Sequence, residues 1–185
     1  MTDNLLIPMS QGTQVMRRLI VLALFMLITP VAAEAQPRLM LGGGLTTPHG
    51  DVSTSADPGY HVRASIEIGI PTLPLGFRGD GTLHNMGSSQ AGFEDTEVLA
   101  GSLSLVFTLP GVGLQPYMLG GLGTYRVTAG ASGDPVTQTS RGYHGGFGVS
   151  VGGLLFGAFA EVRYVHVPHE DGTVAMIPLT LGFRL

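Results

Sequence analysis

The sequence predicts an all-β fold: an eight-stranded antiparallel up-and-down transmembrane barrel, preceded by a signal peptide. Three observations support this prediction. Short segments alternate between apolar and polar residues, the connections between them alternate between long and short, and the 185 residues include 29 glycines and no cysteine. Alternating segments of about ten residues, separated by turn residues, are the sequence pattern of a membrane-spanning β-barrel.

The first 35 residues have the pattern of a secretory signal peptide. Met16-Arg17-Arg18 supplies positive charge, Leu19 to Ile28 is apolar, and Ala33 and Ala35 are the small residues that a signal peptidase recognises. The apolar run is too short for a membrane-spanning helix. We expect cleavage after Ala35, which leaves a signal peptide (1–35) and an outer-membrane β-barrel domain (36–185). Translation starting at Met16 is a further hypothesis, because residues 1–15 carry an acid and no base.

Composition excludes several function classes. The net charge is −4 and the chain has no lysine, so no basic tract is present that would bind nucleic acid. Without cysteine an exported domain has no disulfides, and full hydrogen bonding of a closed barrel within lipid is the expected source of its stability. We expect a monomer without cofactors.

The alternating segments predict eight strands and two kinds of connection. Long polar connections at one end and tight turns at the other are typical of an outer-membrane barrel with both termini in the periplasm. Long connections are expected at 48–58, 85–95 and 129–140, a shorter one at 168–173, and tight links at 71–74, 110–113 and near 152–154. The strands are expected at 38–47, 59–70, 75–84, 96–109, 114–128, 141–152, 155–167 and 174–185.

One face of the predicted strands is apolar and carries aromatic residues at both ends. Two rings of outward aromatic side chains are expected where a barrel meets the two membrane interfaces. The residues predicted to form these rings are Tyr60, Tyr125, Tyr143 and Tyr164 at the long-loop end, and Phe77, Phe107, Tyr117 and Phe183 at the short-turn end.

The opposite face carries charges in mid-strand, which would point into the lumen. An eight-stranded barrel is just wide enough for side chains to fill, and buried charges need partners. We therefore expect an internal network of arginines and carboxylates and no open pore; a loosely filled, wet lumen and an ion path are the alternatives. The expected network contains Arg63, Glu67, Arg78, Asp80, Arg126, Glu161, Arg163 and Arg184.

All six histidines lie near the long-loop end of the predicted strands. His61, His84 and His144 share the inward parity, which makes them candidates for a divalent metal ion, although no pair has a recognised ligand spacing. The alternative is that they are polar residues at a wet rim. Catalysis is not expected, because no serine shares a face with His166, the strand histidine of outward parity.

Three segments resemble strands of a known family: Pro116–Tyr125, Ala160–Tyr164 and Ile177–Leu185. They are similar to the small eight-stranded outer-membrane β-barrels of the OmpA/OmpX-like kind, and the resemblance covers residues 36–185. It implies the outer membrane of a Gram-negative-type bacterium, contact with membrane lipid and lipopolysaccharide, and handling by periplasmic chaperones and the barrel-assembly machinery. Family members usually end in an aromatic residue, whereas this chain ends in Leu185, two residues after Phe183.

The expected role is structural or in surface interactions, such as membrane integrity or contact with surface partners. A small channel is the alternative, and it differs in whether the lumen is open. A soluble secreted ligand carrier is a third hypothesis, which predicts that the mature chain stays in the aqueous fraction.

Overall fold

Eight antiparallel strands form a closed barrel in which each strand pairs with its neighbours in sequence and β1 pairs with β8. The predicted fold class is therefore confirmed. The strands are β1 (Pro37–His49), β2 (Gly59–Gly69), β3 (Leu75–Met86), β4 (Thr96–Thr108), β5 (Leu114–Ala131), β6 (Asp134–Gly152), β7 (Gly157–His169) and β8 (Gly172–Arg184).

These elements belong to a computed structural model that describes residues 37–50, 57–88, 95–131, 134–152, 156–169 and 172–185. The predicted signal peptide lies outside the described residues. None of the described segments is a helix long and apolar enough to cross a membrane.

The connections differ from the predicted ones at two hairpins. Pairing between β5 and β6 runs as far as Ala131 and Asp134, so the long connection expected at 129–140 is wrong. Pairing between β7 and β8 likewise runs to His169 and Gly172. Within the extension, Val136, Thr137 and Thr139 are residue types that favour strands, and the hydroxyls of Thr128 and Thr137 lie 3.1 Å apart across the two strands.

The two ends of the barrel are named here by their connections. The loop end carries the β1–β2, β3–β4, β5–β6 and β7–β8 connections. The terminal end carries the other three connections, the start of β1 and the end of β8.

The outer surface is apolar and the lumen is polar, which is the reverse of a soluble protein. In β2, Tyr60, Val62 and Ile66 are 61%, 55% and 56% exposed, whereas the intervening Arg63 is 5% exposed. Such a continuous apolar surface is unfavourable in water and suits a barrel that faces lipid.

The seam between β1 and β8 requires a close approach of two backbones at Gly44. A Cβ atom at this position would overlap the carbonyl oxygen of Leu179 on β8. By contrast, a Cβ atom at Gly81 on the outer face of β3 would have no neighbour within 4 Å. Glycine at Gly44 therefore permits the closing pair of strands to meet.

Candidate functional site

The lumen is the candidate functional site, and its centre is Glu161 on β7, which is 1% exposed. Arg63 Nη1 and Arg163 Nε each donate a hydrogen bond of 2.5 Å to Glu161 Oε1. Arg78 Nη1 and the hydroxyl of Tyr117 donate to Oε2 at 2.6 Å and 2.8 Å. One carboxylate thus connects β2, β3, β5 and β7.

The other two buried carboxylates are also paired. Asp80 Oδ2 and Oδ1 accept hydrogen bonds from Arg163 Nη1 at 3.0 Å and Nη2 at 3.2 Å. Glu67 Oε2 accepts from Arg78 Nε at 2.9 Å. Because a buried ion pair costs desolvation energy, it persists only where hydrogen bonds satisfy the charges, as they do for Asp80 and Glu67.

These ion pairs extend across the full width of the barrel. Arg78 and Asp80 lie on β3, whereas Glu161 and Arg163 lie on β7, four strands away in either direction around the closed sheet. The pairs therefore connect opposite walls as well as neighbouring strands.

Two arginines at the terminal end differ from the rest of the network. Arg184, expected to be paired with a carboxylate, is half-buried, and its Nη1 donates to the hydroxyl of Ser150 at 3.3 Å. Arg38, which was not predicted to belong to the network, has its Nη1 atom 3.6 Å from an oxygen of Glu67. The alternation along a strand predicts which face of the strand a residue lies on. It does not predict which residue that side chain contacts across the lumen.

A layer of histidines and hydroxyls lies on the loop-end side of the charges. Thr46 Oγ1 is 2.9 Å from Nδ1 of both His61 and His84, and His61 Nε2 is 2.9 Å from Thr180 Oγ1. The rings of His61 and His84 are adjacent, with centroids 5.2 Å apart.

His144 has different partners from the other two metal candidates. Its Nε2 is 2.8 Å from Ser104 Oγ and its Nδ1 is 3.4 Å from the hydroxyl of Tyr125. Within the described ranges, no group of three or more His, Asp or Glu side chains is placed to hold a metal ion. The three histidines act in this structure as partners of hydroxyl groups.

A small polar cavity of about 20 Å³ lies beside these histidines. Arg63 forms part of its wall, and the Nε and Nη2 atoms of Arg63 have no hydrogen-bond partner in the described part of the chain. An oxygen of Asp80 lies 3.9 Å from Nε, beyond hydrogen-bond distance. A cavity of this size has room for about one water molecule.

An apolar layer fills the lumen at the loop end. In β5, the faces predicted to point outward and inward are reversed. Tyr117 and Tyr125, expected outside, are 5% and 3% exposed and point inward. Arg126, expected inside, is exposed on the outer face. Tyr125 packs in the apolar layer and Tyr117 binds Glu161, so both rings fill space in the lumen. The buried members of the layer are Met86, Val98, Ala100, Tyr125, Val165, Val167 and Met176.

The other six aromatic residues predicted to form the two rings point away from the lumen. Tyr60, Tyr143 and Tyr164 are exposed toward the loop end, and Phe77 and Phe183 are exposed toward the terminal end, where Phe107 is partly exposed. Sequence reasoning missed Phe156, whose ring stacks on Phe183 with centroids 5.6 Å apart. It also missed Phe159, a lumen residue whose ring centroid lies 5.6 Å from Arg63 Cζ.

Three solved structures have a similar fold. Neisserial surface protein A is 19% identical with a TM-score of 0.70, and the match covers 82% of this chain and 97% of that chain. The N-terminal β-barrel domain of Pseudomonas aeruginosa OprF is 18% identical with a TM-score of 0.52, covering 82% and 100%. Ail, the attachment invasion locus protein of Yersinia pestis, is 14% identical with a TM-score of 0.53, covering 82% and 99%.

At this level of identity, the likenesses establish the fold alone. No curated protein sequence matches the chain significantly. The model of one family, described as outer membrane protein beta-barrel domain, matches residues 19–184. This match, the closed eight-stranded barrel and its apolar outer surface lead to one conclusion: the chain belongs to the outer membrane protein β-barrel domain family and is a transmembrane protein of the outer membrane.

Proposed function

We propose that the protein has a structural or surface-interaction role in the outer membrane, with a lumen closed by its arginine–carboxylate network. The observation that carries this proposal is the fourfold hydrogen bonding of Glu161, which connects strands on opposite sides of the lumen. The protein is then neither a transporter nor an enzyme.

The energetics of the network favour a closed lumen. Removing one partner of a buried ion pair costs about 3–5 kcal/mol, because the remaining charge is left uncompensated. An ion path along the barrel would have to separate several such pairs and displace the apolar layer around Tyr125. Thermal opening of the lumen should therefore be rare.

The hydroxyl–histidine pairs support a structural role as well. Ser104 and His144 lie 2.8 Å apart, which resembles a nucleophile beside a base. Both residues are 4% exposed inside the lumen, and the second ring nitrogen of His144 faces a tyrosine hydroxyl and not a carboxylate. A substrate has no access to this pair, and the third member of a catalytic triad is missing from its hydrogen bonds.

The proposed partners are the lipids around the barrel, lipopolysaccharide included. The apolar outer belt contacts acyl chains, and the outward tyrosines lie at the membrane interface. During biogenesis, periplasmic chaperones and the barrel-assembly machinery would hold the strands until β8 closes on β1. We propose that the mature protein is a monomer, because the closed barrel leaves no strand edge to pair.

Fractionation followed by single-channel recording tests this proposal. The mature protein should sediment with the outer membrane, migrate on unheated gels as a compact folded form, and give no stable conductance in planar bilayers. The matched comparison is the double variant Glu161→Ala/Arg163→Ala, which removes the centre of the network without changing the net lumen charge and should give brief openings.

Two results would contradict the proposal. A stable, large conductance of the wild-type protein would support the small channel instead. Recovery of the folded protein in the aqueous fraction without detergent would support the soluble carrier.

A further inference from the structure

The outer face of the β5–β6 hairpin changes from apolar to polar next to Tyr143. On the membrane side of this point, Met118, Leu122 and Phe147 are 54%, 71% and 69% exposed. On the loop-end side, the outward and exposed side chains are Thr124, Arg126, Thr137, Thr139 and Arg141. Tyrosine favours the membrane interface, so this change marks the level of the lipid headgroups.

Arg126 and Arg141 are neighbours at this level. Arg141 pairs with Thr124, and Arg126 pairs with Thr139, so the two arginines occupy diagonal positions on one face of the hairpin. Diagonal residues of an antiparallel pair are about 7–8 Å apart, close enough for two long side chains to bind the same group. A carboxylate on the same face, Glu97 on β4, pairs with Thr128 and is therefore diagonal to Arg126, on the side opposite to Arg141.

Aromatic rings adjoin the arginines. Tyr143, two residues from Arg141, stacks on His166 with centroids 4.8 Å apart. The ring of Tyr164 follows, 6.3 Å from that of His166. Tyr143 and Tyr164 are 50% and 43% exposed, and exposed aromatic faces pack against the C–H groups of sugar rings.

An apolar groove reaches Arg141 from the membrane side. Its volume is about 430 Å³, and its walls include Leu103, Leu122 and Arg141. Gly101 forms part of the groove, and a Cβ atom there would have no neighbour within 4 Å. The groove therefore runs from a lipid-facing surface to a cationic rim.

We propose that this surface, called here the Arg126–Arg141 surface, binds the phosphorylated glucosamine headgroup of lipopolysaccharide. The two guanidinium groups bind one phosphate, since their planar donors match phosphate oxygens. The stacked rings of Tyr143 and His166 hold the sugar, and the groove holds part of an acyl chain. The inference rests on the proposed location in the outer membrane and deepens the proposed lipid contact by assigning it to particular residues.

Binding titrations in detergent test the inference with three lipids. The probes are bisphosphoryl lipid A, the same lipid A without phosphates, and phosphatidylglycerol. Wild-type protein should bind the bisphosphoryl form more tightly than either of the others, because that form alone has both the sugar and the phosphate. Equal affinity for phosphatidylglycerol would overturn the inference, because general attraction to anionic lipid would then explain the binding.

Variants assign the binding to the arginines. Arg126→Gln and Arg141→Gln should each weaken binding of bisphosphoryl lipid A about fivefold, in line with the contribution of one basic residue near an anionic membrane surface. Changing both to lysine should preserve part of the affinity, because the charge remains but the planar donors are lost. Arg38→Gln, at the opposite end of the barrel, is the matched control and should bind as the wild type does.

If the Arg126→Gln/Arg141→Gln double variant bound bisphosphoryl lipid A as tightly as the wild type, the assignment of binding to these arginines would be wrong. The gel assay shows whether each variant is folded, and the comparison of the three lipids on wild-type protein needs no variant. The conductance measurement tests the closed lumen, and the lipid A titrations test the Arg126–Arg141 surface. Either proposal can therefore fail while the other holds.

Discussion

Glu161 is the residue on which the charged interior depends most. Its carboxylate accepts hydrogen bonds from three arginines and one tyrosine. Glu161→Gln preserves the shape but removes the charge, and it should lower the free energy of unfolding by about 3–5 kcal/mol. Urea unfolding in lipid vesicles measures this change.

Glu97→Gln is the matched control for that prediction, because Glu97 is an exposed glutamate on the outer face of β4. Its free energy of unfolding should stay within about 0.5 kcal/mol of the wild type. Equal effects of the two substitutions would mean that the network contributes no more than a surface charge. If Glu161→Gln does not fold, a loss of the compact gel band in this variant alone supports the same conclusion.

Sequence reasoning at the residue scale succeeded where charge and apolar residues alternate strictly. In β2 and β3, Arg63, Glu67, Arg78 and Asp80 all point into the lumen, as expected from the alternation. In β5 both faces carry apolar residues, and the position of Tyr117 depends on Glu161, which is on a strand distant in sequence. Alternation alone cannot supply such a contact.

At the scale of elements, the β5–β6 hairpin departs furthest from expectation. Its glycine, serine, aspartate and proline content indicates a loop, but each strand provides the hydrogen-bonding partner that the other needs, and pairing continues to Ala131. The fold class followed from local alternation, whereas the length of this hairpin depends on how two segments pair.

Single-cysteine labelling tests the orientation of β5, because the chain has no native cysteine. Arg126→Cys and Thr128→Cys, on the outer face, should react rapidly with a water-soluble maleimide. Val127→Cys should react slowly, since Val127 packs against the apolar layer in the lumen. The reverse order of rates would show that the parity expected from the sequence is the correct one.

At the scale of the whole molecule, closure depends on the seam at Gly44. Gly44→Ala places a Cβ atom against the carbonyl oxygen of Leu179, so the β1–β8 pair would have to separate. We expect a loss of about 1–3 kcal/mol, as for other overpacked positions, and a lower temperature at which the compact gel band disappears.

The control for the seam is Gly81→Ala on the outer face of β3, where a Cβ atom meets nothing within 4 Å. This substitution should leave the transition temperature unchanged or raise it slightly, because alanine restricts the unfolded chain. Similar losses at both positions would mean that the close approach at the seam does not limit closure.

The ion pairs between β3 and β7 have a mechanical consequence. A hollow cylinder yields most easily by flattening, and flattening would change the distance between opposite walls. Here those walls are joined through Arg78, Asp80, Glu161 and Arg163, so compression in one direction or widening in the other would strain buried ion pairs. The protein should therefore resist flattening under lateral pressure from the surrounding bilayer.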